Sequence, residues 1–275
     1  MQCMEVRGGN GRAEEMLEMA GLRTWIWCRP HQGAEGGGDV YYFSSCASGR
    51  ISRMLLADVS GHGQAVSDTA TGLRDLMRRN INFIRQERLF REMNRRFSER
   101  EGHSGFATAV VWTFFQPTRI LQLSSAGHPC PLLFRKSENH WLALEQESLE
   151  GKDPADIPLG LFHQARFSEL EVRLQTGDLI LCYSDALVEA VDAQGNLLGI
   201  DGLKSAVSRL DPDCPQELIP GLLEQVGSLR SGNLNRDDVT LLLSQVTRSG
   251  IPLKDSLLSP LRILAGFRDR TRIFS

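Results

Sequence analysis

The sequence predicts an α+β fold, and three features carry that prediction. Nine runs of apolar or β-branched residues have strand length, turn-forming Gly, Pro, Ser or Asn residues separate most of them, and four segments of helical spacing fall in two pairs between the strands. Short connections favour antiparallel hairpins, and helices inserted between groups of strands then pack on the outer faces of antiparallel sheets.

Residues 22–28, 40–46 and 51–57 read as three strands, and helical spacing follows at 64–79 and 83–100. Five more strands read at 106–115, 119–125, 131–134, 169–174 and 179–183, then helices at 201–210 and 215–229, and a closing strand at 239–246. No internal repeat or linker interrupts the chain before Val246. The expected division is a short N-terminal segment (1–23), one domain (24–247) and a basic C-terminal tail (248–275). In the tail, Leu253, Leu257, Leu258, Leu261, Leu264 and Phe267 lie near helical spacing among basic residues. A surface helix or strap, or a docking segment for a partner or an acidic membrane, fits that pattern.

The chain has 275 residues, 41% apolar, 24% charged and 7% aromatic, which excludes disordered, collagenous and silk-like classes. Its formal net charge is −3; residues 248–275 hold six basic against two acidic residues, net +4, leaving −7 for residues 1–247. That balance argues against nucleic acid as a partner. The six cysteines are widely spaced, with no C-x-x-C pair, so a reducing, cytoplasmic setting is expected. The acidic N-terminus does not read as a signal peptide, and no apolar run approaches the roughly 18 residues of a transmembrane span.

Aspartates meet strand ends four times. Asp39 follows Gly36, Gly37 and Gly38 and opens a strand, Asp58 closes one, Asp185 follows another, and Asp237 and Asp238 precede the last. Singly, each is an ordinary turn residue. Converging at one sheet edge, four ionised carboxylates would repel one another unless cations neutralised them. An all-oxygen set selects Mn²⁺ or Mg²⁺ over Zn²⁺. Two such ions can acidify a shared water and direct it at a phosphoryl group.

The strings GGGDVYYF, LLADVSGHGQAV, FATAVVW, SSAGHPCPLLF, IPLGLF, GDLILCYSDALVEA and RDDVTLLL occur in this order. Together they resemble the PPM-type metal-dependent protein Ser/Thr phosphatases, in the bacterial branch named after the stage II sporulation E protein, over about residues 24–246. The resemblance implies an α/β/β/α sandwich, two antiparallel sheets flanked by helices, with a binuclear Mn²⁺ or Mg²⁺ site at one end. It implies that Asp58 bridges the two ions, that the Val59 carbonyl is a neighbouring ligand, that Asp39 binds or orients a metal water, and that Asp185 and Asp237 complete the first site. The family pattern favours Asp237 over Asp238. Glu35 is within reach of a metal water or is simply solvated. Where the family usually has Gly after the third Asp, this chain has Ala186, which suits a positive φ less well.

His62 is a candidate general acid or a loop-packing residue between Gly61 and Gly63, since it lies four residues after Asp58 where eukaryotic-type relatives place their His two after. Asp58, Ser60 and His62 are too crowded in one turn to work as a hydrolase triad, and no G-x-S-x-G elbow accompanies them. His128 reads as a structural residue in a hairpin turn. The arginines from Arg74 to Arg96 form either a solvated helix face or a surface that reads a phosphoprotein.

The expected function is therefore a metal-dependent protein Ser/Thr phosphatase acting on a small phosphorylated regulatory protein, such as an anti-sigma-factor antagonist. The alternative is a catalytically silent, phosphatase-like binding module. The roughly 20 residues ahead of the first strand are too few for a sensor domain, so regulation is expected through a partner, oligomerisation or the basic tail.

Overall fold

A computed structural model of the chain describes residues 3–46, 49–61, 64–83, 85–99, 105–145 and 155–248. His62 and the tail beyond Arg248 lie outside the described residues. Among those described there are twelve strands and four α-helices, in the order β1 (Cys3–Gly9), β2 (Ala13–Met19), β3 (Leu22–Arg29), β4 (Asp39–Cys46), β5 (Ile51–Val59), α1 (Gln64–Asn80), α2 (Gln86–Ser98), β6 (Ala107–Phe115), β7 (Ile120–Ala126), β8 (Leu132–Arg135), β9 (His140–Ala143), β10 (Leu170–Arg173), β11 (Leu179–Tyr183), α3 (Gly199–Val207), α4 (Pro215–Leu229) and β12 (Val239–Val246).

The strands form two six-stranded antiparallel sheets, ordered β1-β4-β5-β6-β7-β10 and β2-β3-β12-β11-β8-β9. Alternation along each strand explains why they stack. In β4 and β5, Val40, Tyr42, Leu55, Ala57 and Val59 pack with Leu73, Met77, Phe90 and Phe97 of α1 and α2. The intervening Tyr41, Phe43, Met54 and Leu56 meet Ile26, Ile180 and Leu242 of the second sheet. That sheet turns Leu181, Leu241 and Leu243 toward Leu203, Leu218 and Leu222 of α3 and α4. The layers are helix, sheet, sheet, helix, as expected.

All nine predicted strands and four predicted helices are present, but three strands were not foreseen. β1 and β2 precede the predicted first strand, and each is the edge strand of one sheet. β2 is built from Ala, Glu, Met and Leu, which favour helix, and turns Glu14 and Glu18 to solvent as an edge strand does. β9 is only four residues long.

The segment carrying His128 is also not a hairpin: β7 and β8 belong to different sheets, so residues 127–131 cross the sandwich. His128 is 7% exposed, its Nδ1 lies 2.8 Å from Thr108 Oγ1 on β6, and burial pushes its pKa down to about 3. A neutral ring tying the crossing segment to the first sheet is the structural role expected for it.

Candidate active site

The end of β5, the start of β4, the start of β6, the end of β11 and the start of β12 lie at one end of the sandwich. The registers require this: Asp39 pairs with Asp58, Asp58 with Thr108, and Val59 with Ala107. Ser184, just after β11, receives the same treatment from β12, since its N–H donates to the Thr240 carbonyl and its Oγ accepts from the Thr240 N–H. Strand parity then aims the acids. Asp58 follows Met54 and Leu56, and Asp39 precedes Tyr41 and Phe43, so both carboxylates face the space between the sheets.

Burial without cations makes these groups reluctant to ionise. Asp39, 1% exposed, has its pKa raised well above the ordinary carboxylate range by desolvation, then by Asp58 and Asp238; Thr240 and Ser184 hydroxyls oppose the rise. Its Oδ2 is buried without a hydrogen-bond partner. Asp58 is pushed up to about 7 by desolvation and by the field of Asp185, Asp237, Asp238 and Glu189. Asp185 rises to about 6 through desolvation, Glu189 and Asp237, while the Ala186 N–H and a hydrogen bond shared with Asp58 hold it lower. The structure thus links Asp39, Asp58, Asp185 and Asp237 through Asp58, which stands in the field of Asp185 and Asp237 and acts in turn on Asp39. Among the described residues, no three His, Cys, Asp or Glu side chains gather closely enough to grip an ion as they stand.

The paired aspartates before β12 take different roles. Asp238 is buried and accepts three backbone N–H groups, from His31 at 2.6 Å, Gly38 at 2.6 Å and Asp39 at 3.2 Å. It clamps the glycine loop to β12 so tightly that a Cβ on Gly37 would sit 2.3 Å from its carboxylate. Asp237 is exposed, with its Oδ1 accepting only the Asp238 N–H among the described contacts. The loop is held from its other side by Asn10, after β1, whose Nδ2 donates to the Gly37 carbonyl and to Ser67 Oγ on α1. Val59 lies beside this loop, its N–H donating to the Gly38 carbonyl at 3.3 Å.

Sequence reasoning missed Asp238, Asn10 and Glu189 as parts of this site. Glu189 had a signal: it lies one helical turn after Asp185, whose carbonyl accepts its N–H at 2.8 Å. Asn10 had none, because its strand was not recognised. The Ala186 departure is explained by a single 3-10 turn over Asp185–Leu187, with no positive φ at Ala186. Ser60 is tied to Phe106, its N–H donating to the Phe106 carbonyl and its Oγ accepting the Phe106 N–H, so it takes no part in a triad. Of the α2 arginines, Arg91 pairs with Glu87, Arg95 with Glu92 and with Glu99 just past the helix, and Arg96 with Glu92, while Arg88 lies over the Phe83 ring. That is the solvated-face arrangement.

An open cleft of about 870 Å³ leads to these groups, lined by the 31–38 loop, Gly61 and residues 236–238. Carboxylates of raised pKa, an orphaned buried oxygen and an all-oxygen donor set fit hard divalent cations.

Comparison with known proteins points the same way. The family model described as Stage II sporulation protein E (SpoIIE) matches residues 48–247. No curated protein matches in sequence. Among solved structures, the RsbU and RsbW domains of a Mycobacterium tuberculosis protein are 23% identical, with a TM-score of 0.69 over 87% of this chain and 64% of that one. The PP2C phosphatase domain, with a fragment of the regulatory domain, of SpoIIE from Bacillus subtilis is 18% identical, with a TM-score of 0.69 over 84% and 64%. The catalytic domain of the Ser/Thr phosphatase PstP, solved with two manganese ions, is 14% identical, with a TM-score of 0.56 over 82% and 98%. This chain therefore spans less than two-thirds of the length of the first two and has the PP2C phosphatase fold.

Proposed function

The chain belongs to the stage II sporulation protein E family, and on that premise we propose that it is a metal-dependent phosphatase for phosphoserine or phosphothreonine on a small regulatory protein, such as an anti-sigma-factor antagonist. The observation that carries the reading is the convergence of Asp39, Asp58, Asp185 and Asp237 from separate strand ends, where burial and neighbouring carboxylates oppose the ionisation of Asp39, Asp58 and Asp185. Such a site is stable with its carboxylates ionised only when cations are bound.

Asp58 would hold both ions, the role the family resemblance implies for it, and it stands in the field of Asp185 and Asp237. Asp39 offers the unpartnered Oδ2, Asp185 and Asp237 complete the set, and the Val59 carbonyl stands beside Asp58. When bound, two Mn²⁺ or Mg²⁺ ions supply an acidified water as nucleophile and neutralise phosphoryl oxygens. Asp238 and Asn10 hold the glycine loop so that Asp39 keeps its place, and Asp237 stays free of that clamp. His62 is the candidate proton donor to the departing serine or threonine oxygen.

A protein-sized substrate is supported by apolar surface beside the site. Phe106, hydrogen-bonded to Ser60, is exposed, as are Leu161 and Phe162, which follow the Leu159 that bridges to Ala107. Among the described residues, no helix is long and apolar enough to cross a membrane, and Cys28, Cys46, Cys130, Cys182 and Cys214 are free thiols. The test is turnover of a chromogenic phosphate ester with and without Mn²⁺, beside Asp58→Asn. Mn²⁺-dependent turnover lost in the variant is expected; a wild-type protein inert with every divalent metal sinks the reading and leaves a binding module.

A further inference from the structure

The proposed ligand set accounts for the metals but not for the substrate's charge. Two divalent ions bring four positive charges, which Asp39, Asp58, Asp185 and Asp237 match one for one. A phosphomonoester then adds about −1.5 to −2 at neutral pH, and Glu35 and Asp238 also line the cleft with negative charge. A cation on the cleft wall would offset that added charge.

Arg236 is the one Arg or Lys among the described residues lining the cleft. It is exposed, it stands directly before Asp237, and its guanidinium has no hydrogen-bond or ion-pair partner among the described residues. Arg29, at the neighbouring sheet end, donates to the Leu234 carbonyl and to Asn235, and Arg91, Arg95 and Arg96 of α2 pair with glutamates. Asp238, two residues on, is locked to the 31–39 backbone, so residue 236 is anchored at the rim while its side chain stays unpartnered.

We propose that Arg236 is a phosphate-binding residue, whose guanidinium fork grips non-bridging oxygens of the substrate phosphoryl group at the cleft mouth. Guanidinium and phosphate match in a bidentate, charge-assisted geometry that an ammonium reproduces only in part. The inference deepens the phosphatase reading and rests on it for the role of the cleft, but phosphate binding can be tested apart from turnover.

The full chain, Arg236→Gln, Arg236→Lys and a control, Arg209→Gln, at a residue that bonds Ser205 beyond α3, are compared in two measurements. Calorimetric titration with inorganic phosphate in Mg²⁺ gives a dissociation constant, and p-nitrophenyl phosphate with Mn²⁺ gives kcat and KM. Arg236→Gln should weaken phosphate binding and raise KM by roughly ten- to a hundredfold, with a smaller fall in kcat. Arg236→Lys should recover part of the loss, and Arg209→Gln should match the wild type. Phosphate affinity in Arg236→Gln within twofold of wild type overturns the inference, as does a wild type that binds no phosphate. A wild type without turnover whose phosphate binding still disappears in Arg236→Gln supports Arg236 and refutes the phosphatase reading instead.

Discussion

Asp237→Ala and Asp238→Ala, one residue apart, are expected to fail in opposite ways. Asp238 accepts three backbone N–H groups, two of them at 2.6 Å and one at 3.2 Å, at a site 7% exposed. Each donor left unsatisfied in a buried place costs about 1–3 kcal/mol. Since the cleft lets water reach some of them, the sum comes to about 3–5 kcal/mol. At about 2–4 °C per kcal/mol for a domain of this size, Asp238→Ala should melt roughly 10 °C below the wild type. Asp238→Asn keeps the shape and one acceptor oxygen but turns an amide N–H toward a backbone donor, so it should fall between the two. Asp237 is exposed, and its described contact is the neighbouring Asp238 N–H at 2.8 Å. Asp237→Ala should cost under about 1 kcal/mol while removing metal-dependent turnover. Thermal melts in chelator followed by Mn²⁺-dependent ester hydrolysis read both effects. If Asp238→Ala melts within about 2 °C of the wild type, or Asp237→Ala is the variant that melts early, the assignment of clamp and ligand is reversed.

Two further outcomes follow from the same geometry. Folding raises the pKa values of Asp58 (to about 7), Asp185 (to about 6) and Asp39, so their contribution to stability is complete below the ordinary carboxylate pKa near 4 and is lost as pH climbs through about 6 to 7. In chelator the protein should therefore melt lower at pH 8 than at pH 5, with Mg²⁺ or Mn²⁺ restoring more at pH 8; a melting temperature that rises over that range in chelator excludes the shared anionic field. Asn10→Ala removes the bonds to the Gly37 carbonyl and Ser67 Oγ and should lower stability by about 1–2 kcal/mol while raising the Mn²⁺ concentration needed for half-maximal turnover, and an unchanged metal requirement would separate the β1 edge from the site.

Much of this architecture was legible because core strands carry it redundantly. β5 and β12 are apolar on both faces, so their length and the aspartates at their ends stand out without knowledge of what they pair with. Edge strands carry no such mark. β2 alternates buried and solvent-facing positions with helix-favouring residues, and only its seven-residue pairing with β3 makes it a strand. The same distinction runs through the site. Asp39 and Asp58 could be expected to meet because strand parity and register place them face to face, whereas the difference between Asp237 and Asp238 depends on which backbone N–H groups arrive from residues about 200 positions away. Spacing within one strand cannot encode that. It also explains why Asn10 escaped notice: the glycine loop needs a partner on each side, and one of them directly follows β1, an edge strand with no apolar run to mark it. A site assembled from strand ends is thus readable where its ligands sit on central strands, and hidden where its supports come from the margins of the sheets.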